Sequence, residues 1–167
     1  MSQTDAAVAI VREVSNRMRA LLERTEQAIG QLEDSQLWYR NHPTDNSIGN
    51  LVLHLVGNLR QWILSGIKNL PDTRDRPLEF STQQGISKID LLKMLRGTIE
   101  ESCRAIDALP TSRITESKLI QDTDTTIAYA LVMAVSHLGL HVGQIQFIAK
   151  GILKERFQTA WTPPEKK

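Results

Sequence analysis

Ala134-Val-Ser-His137-Leu-Gly-Leu-His141-Val-Gly-Gln144-Ile-Gln-Phe-Ile148 is the stretch that decides how this chain folds. Its apolar residues recur at threes and fours, the period of a helix packed along one side. Two of the four histidines in the chain lie in it. A separation of four places both imidazoles on one helix face, one turn apart. Gln144 falls on the same face one turn further along, and Met133 and Ile148 complete the stripe.

Working outward, this helix is predicted from about Thr125 to Lys150, with Gly151 suited to the position after its end. Upstream, residues 110–124 are polar and β-branched and read as a loop, with a short extended piece at Ser117–Ile120. Before them, Ser87 to Ala108 reads as a helix whose inward face is Ile89, Leu92, Met94 or Leu95, Ile99, Cys103 and Ile106, closed by Pro110. Residues 70–86 are charged, contain Pro71 and Pro77, and have no period, so they are predicted to form a long connection. Residues 47–69 form another helix, capped by Asn46 or Ser47 and apolar over much of its circumference. Residues 32–46, with Trp38, Tyr39, His42 and Pro43, read as a loop. The first helix spans 5–31, with Thr4 or Asp5 as its cap and Gly30 as its stop. Four helices without convincing strands predict an all-α four-helix bundle with long connections, a crossover being as compatible as a simple up-down order. One domain over 1–167 is expected, with a core of about 5–155 and a tail, 156–167, partly disordered beyond Trp161.

Composition narrows the class. With 41% hydrophobic residues, 20 basic and 19 acidic residues and a net charge of +1, nothing electrostatic favours nucleic acid or an anionic membrane as partner. No apolar run reads as the roughly 18 residues needed to span a bilayer. The opening Met1-Ser-Gln-Thr-Asp-Ala-Ala lacks a basic segment followed by an apolar one, so a cytoplasmic location is expected. The single cysteine, Cys103, has no internal disulfide partner and lies on an apolar stripe, where it reads as a small buried hydrophobe.

The chemistry rests on histidine. His54 sits inside the apolar 47–69 helix, and Asn50, Asn58 and Gln61 fall within about 40° of it on a helical wheel. A polar stripe in such a helix is costly to bury unless its groups find partners. His54, His137 and His141 brought together would hold a divalent metal and leave a coordination position open, the mark of a catalytic rather than a structural zinc site. Asn50, Asn58, Gln61 and Gln144 are then candidates to hydrogen-bond the imidazoles or a bound water, and Trp62 to line a pocket. The sequence His137-Leu-Gly-Leu-His141 has no glutamate beside its first histidine, so the zinc-protease pattern is absent. No paired carboxylates occupy the predicted inward faces, which leaves the catalytic residues undesignated. His42, beside Pro43, reads as solvated. Arg74, Asp75, Arg76 and Glu79 read most simply as a solvated loop; the functional alternative is a lid supplying an arginine, such as Arg76, to an anionic substrate.

The run Asn46-Ser-Ile-Gly-Asn50-Leu-Val-Leu-His54-Leu-Val-Gly-Asn58-Leu-Arg-Gln-Trp62, the Arg74-to-Phe80 loop, and His137-x-x-x-His141-x-Gly143-Gln144-Ile145 together resemble the DinB/YfiT-like superfamily of metalloenzymes, and its bacterial DinB-like branch in particular. The resemblance runs from about residue 5 to 155. It implies a four-helix bundle, zinc or nickel on His54, His137 and His141, frequent homodimers, and thiol-dependent transferase or isomerase chemistry with low-molecular-weight thiols such as bacillithiol or mycothiol. The function expected is a metal-dependent transferase acting on a small-molecule thiol and an electrophilic substrate. The alternatives are a non-catalytic metal-binding helical dimer and a metal-dependent hydrolase using bound water.

Overall fold

A computed structural model describes residues 3–159, with side chains from residue 6. Thr4 and Asp5, expected as caps, lie inside the first helix, which already includes Gln3; the tail from Trp161 lies outside the described residues. The architecture is all-α. Four long helices are α1 (Gln3–Gly30), α3 (Ile48–Leu59), α5 (Lys88–Asp107) and α6 (Ile127–Leu153); α2 (Asp34–Leu37) and α4 (Arg76–Ser81) are short. A hairpin of β1 (Ser117–Ile120) and β2 (Thr123–Thr126) precedes α6. Its strands pair antiparallel, with Ser117 opposite Thr126 and Ile120 opposite Thr123.

Side-chain caps fix where the long helices begin. Ser47 accepts from the Asn50 amide in a reciprocal capping box, Ser87 accepts from Asp90, and Thr126 accepts from Tyr129. After Leu59, α3 continues as a π-helical stretch, Arg60–Ser65. Where that stretch ends, a Cβ on Gly66 would lie 2.5 Å from the Ile120 side chain and 2.6 Å from the Trp62 carbonyl oxygen. A glycine is therefore required for the hairpin to seat against the π-helical segment.

In the bundle, α1 packs against α5 and α6, and α3 packs against the same two helices. The consecutive long helices α1 and α3 thus stand at opposite corners, so the chain crosses the bundle between them rather than running up and down between neighbours. Met18, Leu21 and Ile29 of α1, Leu51, Leu55 and Leu59 of α3, Leu95 and Ile99 of α5, and Leu138 and Ile145 of α6 form one buried core. Buried apolar area of this kind, rather than helix propensity, holds helices in place.

Several expectations need correcting. The 32–46 segment contains α2, and 70–86 contains α4, which Asp75 caps through the Leu78 amide with Pro77 in the first turn. The extended piece at Ser117–Ile120 is paired rather than isolated. Gly151 lies inside α6, which ends two residues later, before Lys154 at φ 53°. On α5, Ile89 is 75% exposed and Met94 40% exposed, while Leu91, Thr98 and Ser102 are buried. Periodicity found the helix and most of its face, since Leu95, Ile99, Cys103 and Ile106 are fully buried, but missed Thr98 and Ser102 because small polar residues do not register as core in an apolar pattern. Finally, Ile127–Arg156 is long and apolar enough to cross a membrane by length and composition. Its buried stripe, from Ile127 through Leu138 to Leu153, packs within the bundle.

Candidate metal centre

His54 comes from the middle of α3, and His137 and His141 from the middle of α6, which packs against it. The three rings converge through their Nε2 atoms. His137 Nε2 stands 3.2 Å from His54 Nε2 and 3.1 Å from His141 Nε2. One ring nitrogen from each of the three histidines falls within 4.8 Å of the others, the arrangement of a set that could hold a metal ion. Nitrogens bound at about 2.0–2.1 Å to a tetrahedral ion stand roughly 3.3 Å apart, and both spacings approach that value. His54 is buried, whereas His137 and His141 are half-buried, so the cluster is closed on the α3 side and accessible from the α6 side.

Electrostatics favours the ligating form of the rings. Burial pushes the His54 imidazole below its ordinary value, outweighing the opposing effect of Glu79. His137 is pushed down to about 4, first by burial, then by His141 and His54, then by Arg74 and Arg76. A neutral imidazole binds a metal without first releasing a proton. The His137 Nδ1 atom is buried without a hydrogen-bond partner, so this ring makes its only polar contacts through the cluster. Donor type, spacing and protonation state all fit a divalent cation.

Around the rings, the structure places some predicted residues at the cluster and takes others away. Gln144 Oε1 lies 2.6 Å from His141 Nδ1. Gln61 donates to Asp72 at 2.6 Å and accepts from Arg74 at 2.8 Å, so it meets the cluster only through that arginine. Asn58, one turn beyond His54, is buried with its Oδ1 unpartnered. Trp62 is buried, 6.2 Å from Tyr129 ring to ring. Asn50 hydrogen-bonds away from the histidines. Its amide donates to the carbonyls of Glu79 and Thr82, its Oδ1 accepts from Arg40, and it completes the Ser47 cap. Asn50 ties α4 to the start of α3. Arg76 is exposed, its guanidinium carbon 5.8 Å from the Phe80 ring centre, and that ring lies 5.0 Å from the His54 ring. His42 is exposed, bonded locally to Thr44. Cys103 is fully buried, and burial pushes its thiol up to about 11.

The main surprise is the segment expected to be a solvated loop. Glu79 is buried, and its Oε2 lies 2.8 Å from His54 Nδ1. Arg74 grips the same carboxylate with two donors, Nε at 2.6 Å and Nη2 at 2.9 Å. The Arg74 and Glu79 side chains are only 4% and 7% exposed. Gly57, three residues after His54, makes the room: a Cβ there would clash with the Glu79 carboxylate. A carboxylate thus does stand beside the histidines, supplied by α4 rather than by an inward-facing long helix. A glycine one turn beyond a buried histidine was the available signal.

Beside this cluster runs an open cleft of about 1180 Å³, lined by Tyr39, Arg40 and Leu51 on one side and Leu140, Gln144 and Phe147 on the other. Gln144 borders both the cleft and His141.

Solved structures with the same fold include a conserved protein from Enterococcus faecalis, 17% identical with a TM-score of 0.72, aligned over 87% of this chain and 98% of that one. A DinB-like protein from Bacillus subtilis is 16% identical with a TM-score of 0.66, over 87% and 96% of the two chains. A DinB-like protein from Bacillus cereus is 17% identical with a TM-score of 0.64, over 79% and 85%. No curated protein matches the chain. The fold is thus that of DinB-like helical proteins, and it carries three histidines that could hold a metal ion. Within that class, the chain belongs to a protein family of unknown function, DUF1572, whose model it matches over residues 5–166.

Proposed function

We propose that this protein is a divalent-metal enzyme in which His54, His137 and His141 hold zinc or nickel, and that it transfers a group to or from a low-molecular-weight thiol. The observation that carries the reading is the convergence of three imidazoles through Nε2, closed behind and accessible in front. When bound, the metal would lower the pKa of a thiol or water at its open position, so that the nucleophile is available at neutral pH without a dedicated protein base.

The chain's own residues supply orientation and charge. Gln144 steadies His141 and borders the cleft, which gives the body of a substrate a place to lie beside the cluster. Arg76, on the exposed side of Phe80, is placed to meet an anionic substituent. Trp62 and Tyr129 pack together on the same side of the bundle, where α3 runs into its π-helical stretch. A homodimer fits the outer face of α6, on which Val132, Leu140 and Phe147 are 59%, 61% and 79% exposed.

The test is spectroscopic. Cobalt-substituted protein prepared without a histidine tag is titrated with small thiols. A new sulfur-to-cobalt charge-transfer band supports the thiol reading. An unchanged spectrum with every thiol, alongside ester or amide hydrolysis by the zinc form, would favour the hydrolase alternative. Neither response would leave the metal-binding dimer module, which the exposed α6 face also supports.

A further inference from the structure

We infer that Glu79, held by Arg74 in the notch left by Gly57, is a positioning residue that fixes His54 as its Nδ1–H tautomer and so turns the Nε2 lone pair toward the cluster. The inference deepens the metal reading above and rests on it only for its affinity arm.

The geometry leaves one tautomer. An ionised carboxylate accepts hydrogen bonds and donates none, and an arginine only donates. His54 Nδ1 has both within reach: Glu79 Oε2 at 2.8 Å and Arg74 Nη2 at 3.1 Å. If Nδ1 were bare, its lone pair would face a carboxylate oxygen at 2.8 Å, two acceptors opposed, and Arg74 Nη2 would be divided between them. With the proton on Nδ1, the oxygen accepts from His54 and from Arg74 Nη2 together, and Arg74 Nε satisfies the second oxygen at 2.6 Å. The 2.8 Å contact between His54 Nδ1 and Glu79 is therefore a hydrogen bond only when Nδ1 carries the proton, which in the neutral ring leaves Nε2 bare. The ring is then preset for a cation, because the tautomer, the ring orientation and the direction of the lone pair are fixed before any ion arrives.

The supporting parts are built for this task. Arg74 neutralises the carboxylate, so no lone charge is buried beside the metal position. Gln61 takes a third donor of Arg74 at 2.8 Å, which holds the guanidinium from the α3 side. Asn50 and Arg40 bind the carbonyls of residues 79–82, so the backbone bearing Glu79 is fastened at its far end. The atoms a Cβ at 57 would crowd are those of this pair, the Glu79 carboxylate first and Arg74 Nε at 3.1 Å.

Two measurements test it. In the metal-free wild type, ¹⁵N–¹H long-range correlation spectra of the imidazoles should show His54 as Nδ1–H. Finding Nε2–H would overturn the inference, whatever the protein does with metals. Second, zinc affinity is measured by chelator competition for the wild type, Glu79→Gln, Glu79→Ala and Gly57→Ala. Losing a hydrogen-bond partner of a ligating histidine costs about 10–100-fold in affinity. Glu79→Ala and Gly57→Ala should fall in that range, the latter with every ligand and Glu79 itself intact. Glu79→Gln keeps an acceptor oxygen and should lose less. Affinities within about twofold of wild type for both Glu79→Ala and Gly57→Ala, in proteins whose metal-free melting remains cooperative, would overturn the inference. A wild type that binds no zinc but shows the Nδ1–H tautomer would overturn the metal reading while the role of Glu79 in fixing the ring stands.

Discussion

The two sides of this bundle bury polar groups in opposite ways. Where α1 meets α5, the buried polar residues are small and lie singly, none of their side chains bonded to another: the Ser15 and Ser102 hydroxyls have no partner among the described residues, and two others turn to the backbone. Thr25 donates to the Leu21 carbonyl, and the Cys103 thiol points at the Ser15 carbonyl at 3.7 Å. Where α3 meets α6, the polar residues are large and turn to one another: three imidazoles, a carboxylate and a guanidinium, with a short strap supplying the last two. Groups that satisfy themselves on the nearest carbonyl leave nothing for a ligand. Groups that can be satisfied only by each other, or by something placed between them, make a site. The Cys103 thiol is a potential nucleophile by residue type, yet its neighbours hold it protonated and out of reach.

Breaking the α3–α6 side should have the largest effect. His137→Ala removes one of three ligands and should weaken zinc binding by more than the roughly 10–100-fold expected for losing an outer partner, as read by chelator competition. Stability in metal-free protein should change far less. The reverse holds on the other side. Leu95→Ala empties a fully buried position of α5 and should cost about 2–5 kcal/mol in denaturant unfolding, with zinc stoichiometry unchanged.

Acid and base should separate the two sides. Because His137 is held near 4 rather than 6.5, the unfolded chain binds that proton more tightly. The stability this contributes is fully present above pH 6.5 and is lost as pH falls from there through about 4. Cys103 has the opposite sign. Its thiol is held at about 11 rather than 9, so its contribution is intact below pH 9 and is lost as pH rises toward 11. Denaturation midpoints of metal-free protein across the pH range should show the acid limb shrink in His137→Ala, with the part owed to His54 remaining, and the alkaline limb diminish in Cys103→Ala. Cys103→Ala should otherwise cost only about 0.5–1.5 kcal/mol, the range for removing one methyl-sized group from a core. The smallest effect on either side is expected from Phe147→Glu, on the outer face of α6. It should break the proposed homodimer, read as a fall to monomer mass in light scattering, while leaving zinc affinity in place.

Much of this contrast was legible in the sequence, and the exceptions share a cause. The α3 and α6 patterns are long, strongly periodic and carry the histidines at helical spacing, so their type and shared face could be read directly. Asn50 through Gln61 could be read as a polar stripe, but not that Asn50 would turn toward the strap while Asn58 remained buried, because partner choice is tertiary. Glu79 was invisible for the same reason. In a segment of alternating charge with two prolines, nothing local distinguishes a buried carboxylate from a solvated one, and its burial depends on Arg74 and on the absence of a side chain at Gly57. The inward face of α5 was misjudged at Ile89, and of the Met94-or-Leu95 alternative Leu95 is the buried one; Thr98 and Ser102, small and polar, fill core positions that an apolar pattern leaves blank. The β-hairpin was half seen. Gln121 and Asp122 both adopt positive φ, 53° and 55°, a turn that the more common glycine would have announced.

The central claim is that the three histidines form a metal site, and metal stoichiometry tests it most directly. Protein purified without a histidine tag, exposed to Zn²⁺ or Ni²⁺ and dialysed, is assayed by inductively coupled plasma mass spectrometry beside His54→Ala and His137→Ala. The account predicts close to one equivalent of metal in the wild type and a clear loss in both variants. A wild type that retains no metal, or variants that retain as much as the wild type, would contradict it.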